Sequence, residues 1–244
     1  RPQNIEKFKG RKSMPLIVWG NGACFDSPFE HVNFLNEIAS HGFMVVAIGT
    51  LPKETGEQNK ERSTSAKLTV AIDWALAQNA DKNSPYFKKI NGKKIAVAGM
   101  SCGGLQALEV AGDKRISTLI VANSGIFIDP IRGNAMPMMP QLDKTHLKKI
   151  HTPTLYLLGG PSDIAYKNGM DDVDKINQVP VFVANLDVGH GGTYAKPYGG
   201  EYGKVATAWL NWQLKGNKKS GKLFTGKTPE LSKAPGWVVA KKNM

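Results

Sequence analysis

The stretch IAVAGMSCGGLQALEVAG, residues 95–112, decides the fold that this sequence predicts. Residues 95–101 form a short apolar run typical of a buried strand, and residues 102–112 have the small and apolar side chains of a packed helix that ends at Gly112. The pattern G-x-S-x-G stands between them, at residues 99–103. Glycine is common in this chain, with 26 among 244 residues. The position of the motif between strand and helix therefore carries more weight than the motif itself.

A serine on a sharp strand-to-helix turn is the arrangement of a nucleophile elbow. Such a turn holds the serine in strained backbone dihedral angles and brings its neighbours against the adjacent strand, so the positions two before and two after it need to lack a Cβ atom. Both positions are glycines here, Gly99 and Gly103. We therefore predict that Ser101 is a nucleophile. The alternative interpretation is a glycine-rich turn that binds an anion.

Strand and helix patterns alternate on both sides of this stretch. Short apolar runs predict strands at residues 15–20, 43–49, 95–101, 117–125, 153–160 and 180–186. Apolar residues at helical spacing predict helices at residues 28–42, 67–80, 102–112, 166–178 and 201–214. Strands that are apolar on both faces and alternate with helices indicate an α/β fold, with a mostly parallel sheet and helices on both of its faces. We expect a single domain over residues 1–244.

Two segments depart from this alternation. Residues 126–150 contain three prolines and three methionines between two predicted strands, which favours an irregular insertion. Residues 215–244 form a basic C-terminal tail rich in lysine and glycine, in which we expect burial of Trp237, Val238 and Val239 alone.

The net charge of +12 is concentrated at the two ends of the chain. Residues 1–13 carry five Lys or Arg against one Glu, and residues 214–244 carry eight Lys against one Glu, which leaves a net charge of +1 between them. A nucleic-acid reader would place basic and aromatic residues on the elements that do the reading, so we expect no nucleic-acid partner. The sequence also lacks the run of about 18 apolar residues that a membrane span needs and the apolar run of an attached signal peptide.

A nucleophilic serine needs a base to take its proton. In chains with a nucleophile elbow the order is Ser, then Asp or Glu, then His. His190 lies beyond the last predicted strand, on a glycine-flanked loop, and we predict that it is the base. We expect His31 and His41 on the surface of a helix, while His146 and His151 flank the insertion.

The acid of such a triad should follow a strand between the serine and the histidine, where it can accept the imidazole N–H. Asp163 comes directly after the run at residues 153–160 and is the predicted acid. Asp129 follows the preceding strand and is the alternative. The remaining candidates lie in a helical pattern and are predicted to be solvated or capping residues: Asp171, Asp172 and Asp174.

An acyl-transfer site also needs two backbone donors for the oxyanion. One is expected to be the N–H of Cys102, the residue after the nucleophile. The other is expected from the glycine-rich loop after the first strand, where Asn21 is the first candidate and Gly22 the alternative.

With these residues in place, the chain resembles the α/β-hydrolase superfamily over residues 15–214. Within it, the chain is similar to the cutinase, chlorophyllase and dienelactone hydrolase neighbourhood, including bacterial polyester hydrolases. The resemblance rests on ASHGFMVVAIGT at residues 39–50, the G-x-S-x-G-G motif, and PTLYLLGGPSDIAY at residues 153–166. It implies a serine hydrolase that cleaves carboxylic esters through an acyl-enzyme, without a cofactor or a metal, and with Ser101, Asp163 and His190 in the triad positions.

The chain departs from the polyester hydrolases in three places. They carry a substrate-stacking Trp soon after the strand that follows the elbow, where this chain has Phe127, and their segment there is shorter than residues 126–150. They also have one or two strands before the one at residues 15–20, and this chain has about 14 residues for them. We therefore expect an α/β-hydrolase fold, and the sequence leaves open whether its first strands are missing.

Several large side chains are candidates for the substrate pocket: Trp19, Phe127, Met136, Met138 and Met139. The methionines have an equally good interpretation as flexible fillers of irregular gaps. The expected partner is a small or surface-exposed ester, and the oligomeric state stays open. Two other enzyme classes use the same triad, peptidases and thioesterases or acyltransferases. A non-catalytic binding protein with a vestigial triad is a further alternative. The related secreted enzymes favour a secreted or periplasmic protein whose signal peptide has been removed.

The two cysteines, Cys24 and Cys102, have no C-x-x-C spacing for a metal or redox motif. Cys24 ends the loop assigned to one oxyanion donor, and Cys102 supplies the other donor, so the fold should bring the two close together. Neighbouring loops can meet the roughly 4.4 to 6.8 Å between Cα atoms that a disulfide needs. A bridge and two buried free thiols are both consistent with the sequence.

Overall fold

The computed structural model describes residues 13–52, 60–129 and 139–244. Its strands are β1 (Met14–Gly20), β2 (Met44–Ala47), β3 (Ile90–Met100), β4 (Ile116–Ala122), β5 (Thr154–Leu158), β6 (Val181–Leu186) and β7 (Trp237–Lys242). Its α-helices are α1 (Val32–Ser40), α2 (Ala66–Ala80), α3 (Cys102–Glu109), α4 (Tyr166–Lys175), α5 (Gly200–Lys215) and α6 (Lys218–Gly221). The expectation of strands before β1 falls on residues 1–12, which lie outside the described residues.

One sheet contains these strands in the order β2-β1-β3-β4-β5-β6-β7. The first six are parallel, and β7 pairs with β6 in the antiparallel sense. The carboxyl ends of the parallel strands therefore meet at one edge, where α/β folds bind their ligands. Strand β3 lies between β1 and β4, so residue 101 stands near the middle of that edge.

Two hydrophobic cores cover the two faces of the sheet. One face packs against α2, α3 and α4, through buried side chains such as Ile72, Leu108 and Val173. The other packs against α1 and α5, through Phe34, Trp209 and others. A parallel sheet needs cover on both faces because its strands are apolar on both. The predicted mostly parallel sheet between two helical layers is confirmed.

Residues 215–244 form more structure than the predicted tail. Phe224 and Leu231 are buried beside α5, and β7 extends the sheet. The expected burial of Val238 is wrong, since its side chain is 66% exposed while Trp237 is buried. Successive side chains of a strand point to opposite faces, and helices of the described chain cover β7 on the Trp237 side.

The described part of the insertion contains a short 3-10 turn, Lys144–Lys149, which precedes β5. Leu147 of this turn is buried in the core beside Ile150. Residues 130–138 of the predicted insertion lie outside the described residues.

Candidate active site

Ser101 occupies the sharp turn between β3 and α3. Its dihedral angles, φ 53° and ψ −118°, lie outside the regions that residues other than glycine normally adopt. Hydrogen bonds hold this strained backbone: Ser101 N donates to Ala122 O at 2.9 Å, and the hydroxyl of Ser124 donates to Ser101 O at 2.7 Å. A strained serine at a strand-to-helix junction is the geometry expected of a nucleophile elbow.

The glycines around the turn let three backbone segments touch. A Cβ atom on Gly99 would overlap the carbonyl of Gly103, and a Cβ atom on Gly103 would overlap the carbonyl of Gly20 at the end of β1. A side chain at either position would push β1, β3 and α3 apart. The steric requirement read from the motif is therefore present in the packing.

The structure brings Ser101, His190 and Asp163 into one line of hydrogen bonds. His190 Nε2 lies 2.9 Å from Ser101 Oγ, and His190 Nδ1 lies 2.6 Å from Asp163 Oδ1. An ionised carboxylate can only accept a hydrogen bond, so Nδ1 carries the proton and Nε2 is free to accept from the serine hydroxyl. The imidazole is 29% exposed and the carboxylate is fully buried.

The buried carboxylate of Asp163 has four donors. Oδ1 accepts from His190 Nδ1 and from the backbone N–H of Ala165 at 2.9 Å, while Oδ2 accepts from the amide of Asn123 at 2.8 Å and from Gly159 N at 3.3 Å. Burial alone would raise the pKa of Asp163, but the hydrogen bonds from His190, Ala165 and Asn123 lower it below its usual value. Asp163 is therefore ionised at neutral pH. The alternative acid, Asp129, is exposed.

The candidate oxyanion donors lie on two segments that pack together. Cys102 opens α3, and Asn21 precedes a short 3-10 turn, Gly22–Cys24. The first N–H groups of a helix have no partner inside the helix, which leaves them available to a ligand. The side-chain amide of Asn21 donates to Phe25 O at 2.8 Å and to Ile48 O at 2.9 Å, so it holds its own loop in shape.

A disulfide joins Cys24 to Cys102, with 5.1 Å between their Cα atoms. The bridge that the sequence left as one of two alternatives is thus present. It links the loop after β1 directly to the residue that follows Ser101. The two segments assigned to the oxyanion are covalently tied.

A cavity of about 90 Å³ opens beside Ser101 and His190. Its apolar wall includes Leu105, Phe127, Met139 and Ile164. The described residues that line it include no Lys, Arg, Asp or Glu. Of the candidate pocket residues, Phe127 and Met139 line this cavity, whereas Met136 and Met138 lie outside the described residues.

Trp19 is not part of this cavity, contrary to the sequence-based expectation. Its side chain is fully buried and packs against Phe34 and His31, each with a ring-centroid distance of 5.2 Å. Trp19 therefore belongs to the core on the α1 and α5 side of the sheet.

His31 is also misassigned by the sequence, because it is 3% exposed instead of lying on a helix surface. It belongs to a 3-10 turn that precedes α1, and its ring lies 5.1 Å from that of Tyr194. Burial lowers the pKa of His31 to about 4, so the ring is neutral at pH 7. His41 is exposed, as predicted.

Asp172 is a further residue that sequence reasoning placed wrongly. Its carboxylate is fully buried under the cavity wall, where it accepts from Ile126 N at 2.9 Å and from Lys144 Nζ at 2.6 Å. Burial raises its pKa to about 6, against the opposing effect of Lys144. Asp174 is exposed, as expected.

Asn123 is a site residue that the sequence did not single out. It follows β4 directly, and its side chain is fully buried against Asp163. Its position could have identified it, because it is a polar residue that ends an apolar run at the sheet edge where the predicted site residues lie.

Within the described ranges, no group of three or more His, Cys, Asp or Glu side chains is arranged to hold a metal ion. No helix in that same part of the chain has the length and apolar character to cross a membrane.

Comparison with known proteins relates the chain to a family. A family model described as PETase, PET hydrolase-like, matches residues 24–169, which is more than half of the chain. No curated protein matches the sequence significantly.

Proposed function

The chain belongs to the PET hydrolase-like family, and we propose that it cleaves carboxylic esters through an acyl-enzyme formed on Ser101. Family membership identifies it as a hydrolase of the α/β-hydrolase superfamily that acts on esters. The observation that carries the finer proposal is the line of hydrogen bonds from Ser101 through His190 to the buried Asp163.

In the first half of the reaction, His190 Nε2 takes the hydroxyl proton as Ser101 Oγ attacks the ester carbonyl carbon. The tetrahedral intermediate then collapses, its bond to the alkoxy oxygen breaks, and the imidazolium gives its proton to the departing alcohol. In the second half, His190 activates a water molecule in the same way. Water releases the acid and restores the serine hydroxyl.

Asp163 keeps Nδ1 protonated and stabilises the imidazolium that forms in each half-reaction. Its lowered pKa suits this role, because the carboxylate must stay ionised while the histidine gains and loses its proton. Asp163 does not itself accept that proton.

The oxyanion is proposed to bind the backbone N–H of Cys102 and that of Asn21, with Gly22 as the alternative second donor. Donors that stay fixed throughout the reaction need no reorganisation as charge develops on the oxygen. The Cys24–Cys102 bridge and the contact between Gly20 and Gly103 support such fixed donors.

The cavity supports an uncharged, mainly apolar acyl group as substrate. Its described lining combines apolar side chains with uncharged polar ones such as Ser124 and Asn168, and includes no Lys, Arg, Asp or Glu. A charged acyl group would lose its hydration there without gaining a partner. Peptides and thioesters are alternative substrates of the same triad.

A disulfide beside the nucleophile favours a protein that works in an oxidising compartment. Disulfides persist outside the cell and in the periplasm and are rare in the cytosol. We propose that the protein is secreted or periplasmic.

The test uses p-nitrophenyl esters from acetyl to octanoyl and a fluorophosphonate probe for the nucleophile. We expect the wild-type protein to hydrolyse these esters and to be labelled on Ser101. Ser101→Ala should lower kcat at least ~10⁴-fold, with an unchanged circular dichroism spectrum, because the three residues act as a unit.

A wild-type protein that is neither labelled nor active would overturn the proposal. So would a Ser101→Ala variant that keeps the wild-type rate. If Ser101 is labelled but peptides or thioesters are cleaved much faster than matched esters, Ser101 is still the nucleophile and the assignment to esters is rejected.

A further inference from the structure

Asn123 adopts an unusual backbone conformation at the end of β4. Its φ of 43° lies in the left-handed region, which asparagine tolerates better than most residues. The residue is completely buried, and its backbone N donates to Leu157 O at 2.8 Å. The strain is thus held in place by the neighbouring strand β5, and strained residues of this kind cluster at functional sites.

The side-chain amide of Asn123 connects three loops at the carboxyl edge of the sheet. Its nitrogen donates to Asp163 Oδ2 at 2.8 Å and to Gly189 O at 3.2 Å, the residue before His190. Its oxygen accepts from the hydroxyl of Tyr194 at 2.6 Å. One amide therefore touches the loops that carry both the proposed acid and the proposed base.

Tyr194 determines which way this amide faces. The tyrosine is buried in an aromatic cluster with Trp19, Phe34 and Tyr202. Burial raises the pKa of its phenol well above the usual value, so the hydroxyl keeps its proton and donates. The amide oxygen must face that donor, and the amide nitrogen consequently faces Asp163.

Asp163 needs a donor on the oxygen that His190 does not use. A buried carboxylate oxygen without a partner is costly, and the other donor to Oδ2, Gly159 N, is more distant at 3.3 Å. The Asn123 amide on Oδ2 and the Ala165 N–H on Oδ1 together fix the rotation of the carboxylate about its Cβ–Cγ bond. This rotation in turn places Oδ1 against His190 Nδ1.

We propose that Asn123 is a positioning residue for the acid and base of this site. The inference rests on the proposed function, because it assigns to Asn123 an effect on Asp163 and His190 that matters only if they work as acid and base. Asn123 borders the cavity, but its residue is fully buried and its side-chain amide faces Asp163. Because it acts through Asp163, its loss should lower kcat and leave KM nearly unchanged.

A second consequence distinguishes positioning from a general structural role. Without the Asn123 donor, the negative charge of Asp163 is less dispersed and stabilises the protonated imidazole more strongly. Activity requires the unprotonated imidazole. The acid limb of the pH profile of kcat/KM should therefore move to higher pH.

The principal variant is Asn123→Gly, because glycine adopts the left-handed backbone without strain and removes only the amide. Loss of a hydrogen bond to a charged group should lower kcat roughly 10- to 100-fold. Asn123→Asp keeps the shape but replaces the donor with a second carboxyl facing Asp163, and we expect a larger loss.

Asn185→Ala is the matched control. Asn185 is also buried and accepts from Gly160 N at 2.8 Å in the same loop as Asp163, but it has no hydrogen bond to that carboxylate. Its removal should affect the thermal midpoint without moving the acid limb. Each variant is measured for kcat, KM, the acid limb and thermal unfolding.

The proposal is supported if Asn123→Gly lowers kcat, keeps KM and moves the acid limb upward while Asn185→Ala does not move it. It is overturned if Asn123→Gly keeps the wild-type kcat. It is also overturned if the acid limb of Asn123→Gly lies at the same pH as that of Asn185→Ala. Fluorophosphonate labelling of the wild type distinguishes failure of this inference from failure of the proposed function. Labelled wild type with an unaffected Asn123→Gly rejects only this inference, whereas unlabelled wild type rejects the proposed function.

Discussion

Asp163 and Asp172 are two buried carboxylates on neighbouring elements, yet their acidities shift in opposite directions. Asp163 lies in the loop between β5 and α4, and its pKa is lowered. Asp172 lies on α4, and its pKa is raised to about 6. Both side chains have no exposed surface. Burial by itself therefore does not determine the charge of either residue.

The two carboxylates differ in the donors that surround them. Four N–H groups point at Asp163, two on each oxygen, and the histidine among them reaches solvent. Asp172 accepts from Ile126 N, Lys144 and the hydroxyl of Tyr156, which lies 3.3 Å away. These donors only partly offset the desolvation of Asp172. One site is built to hold an anion, and the other anchors a loop.

The loop that Asp172 anchors is the one that forms the cavity wall. Ile126 N, its backbone donor, immediately precedes Phe127. Gly125 and Gly169 pack backbone against backbone in the same place, since a Cβ atom on Gly125 would overlap Gly169 N. We therefore expect changes at Asp163 to affect catalysis and changes at Asp172 to affect stability.

The largest effect is expected from Asp163→Asn. The amide cannot stabilise the imidazolium and favours the wrong tautomer of His190, so kcat should fall on the order of 10³- to 10⁴-fold while the protein stays folded. Asp129→Asn is the control, because Asp129 is exposed. Ester hydrolysis by the two variants checks the assignment. Greater damage from Asp129→Asn would show that the acid has been misassigned.

Asp172→Asn should change the pH dependence of stability instead of activity. A carboxyl whose pKa rises on folding contributes stability that is present below about pH 4 and is lost as the pH rises through about 6. The Asp172→Asn variant has no carboxyl to ionise here, so it does not lose this stability as the pH rises. Its free energy of unfolding, relative to wild type, should therefore improve by roughly 1 to 3 kcal/mol between pH 4 and pH 7.

Urea denaturation of both proteins at the two pH values measures this difference. The amide also alters the local hydrogen bonds beside Lys144, which contacts Asp171 at 2.7 Å as well as Asp172, so only the change with pH is diagnostic. A difference that stays constant between pH 4 and pH 7 contradicts a raised pKa for Asp172.

Tyr156→Phe should give the smallest effect. The change removes one donor to Asp172 at 3.3 Å and leaves the aromatic ring in the core. The free energy of unfolding should fall by about 0.5 to 1.5 kcal/mol, and the pH at which Asp172 titrates should rise. Denaturation at several pH values measures both. A fall in that titration midpoint would show that the hydroxyl does not donate to the carboxylate.

The contrast between the two aspartates also shows how far sequence reasoning extends. The sheet, its two helical layers and the grouping of residues 101, 163 and 190 follow from local patterns, because each residue comes just after an apolar strand and parallel strands end at one edge. Asp163 is identifiable for that reason. Asn123 falls inside the strand predicted at residues 117–125, although β4 ends at Ala122, and nothing local indicates that its amide faces Asp163.

The misplaced residues depend on contacts between distant segments. Residues 171–174, DDVD, predict an exposed helix face, and the burial of Asp172 arises from Ile126 and Lys144, which are remote in sequence. His31 is buried because Trp19 and Tyr194 pack on it. Trp19 belongs to a strand that was expected to be buried, but its ring packs against Phe34 and not at the cavity. Such burial is a property of tertiary packing, and no local pattern encodes it.

The Cys24–Cys102 bridge encloses the polypeptide between β1 and α3 in a covalent ring. A single proteolytic cut anywhere between the two cysteines would open the backbone without separating the pieces. The strands β1 and β3 and the two segments proposed to bind the oxyanion would remain in one molecule, which would migrate as one species until a reductant is added. After a cut inside that ring, for example in the exposed stretch at Lys60 and Glu61, the disulfide would still join the two fragments. After a cut on the C-terminal side of Cys102, no disulfide would join them.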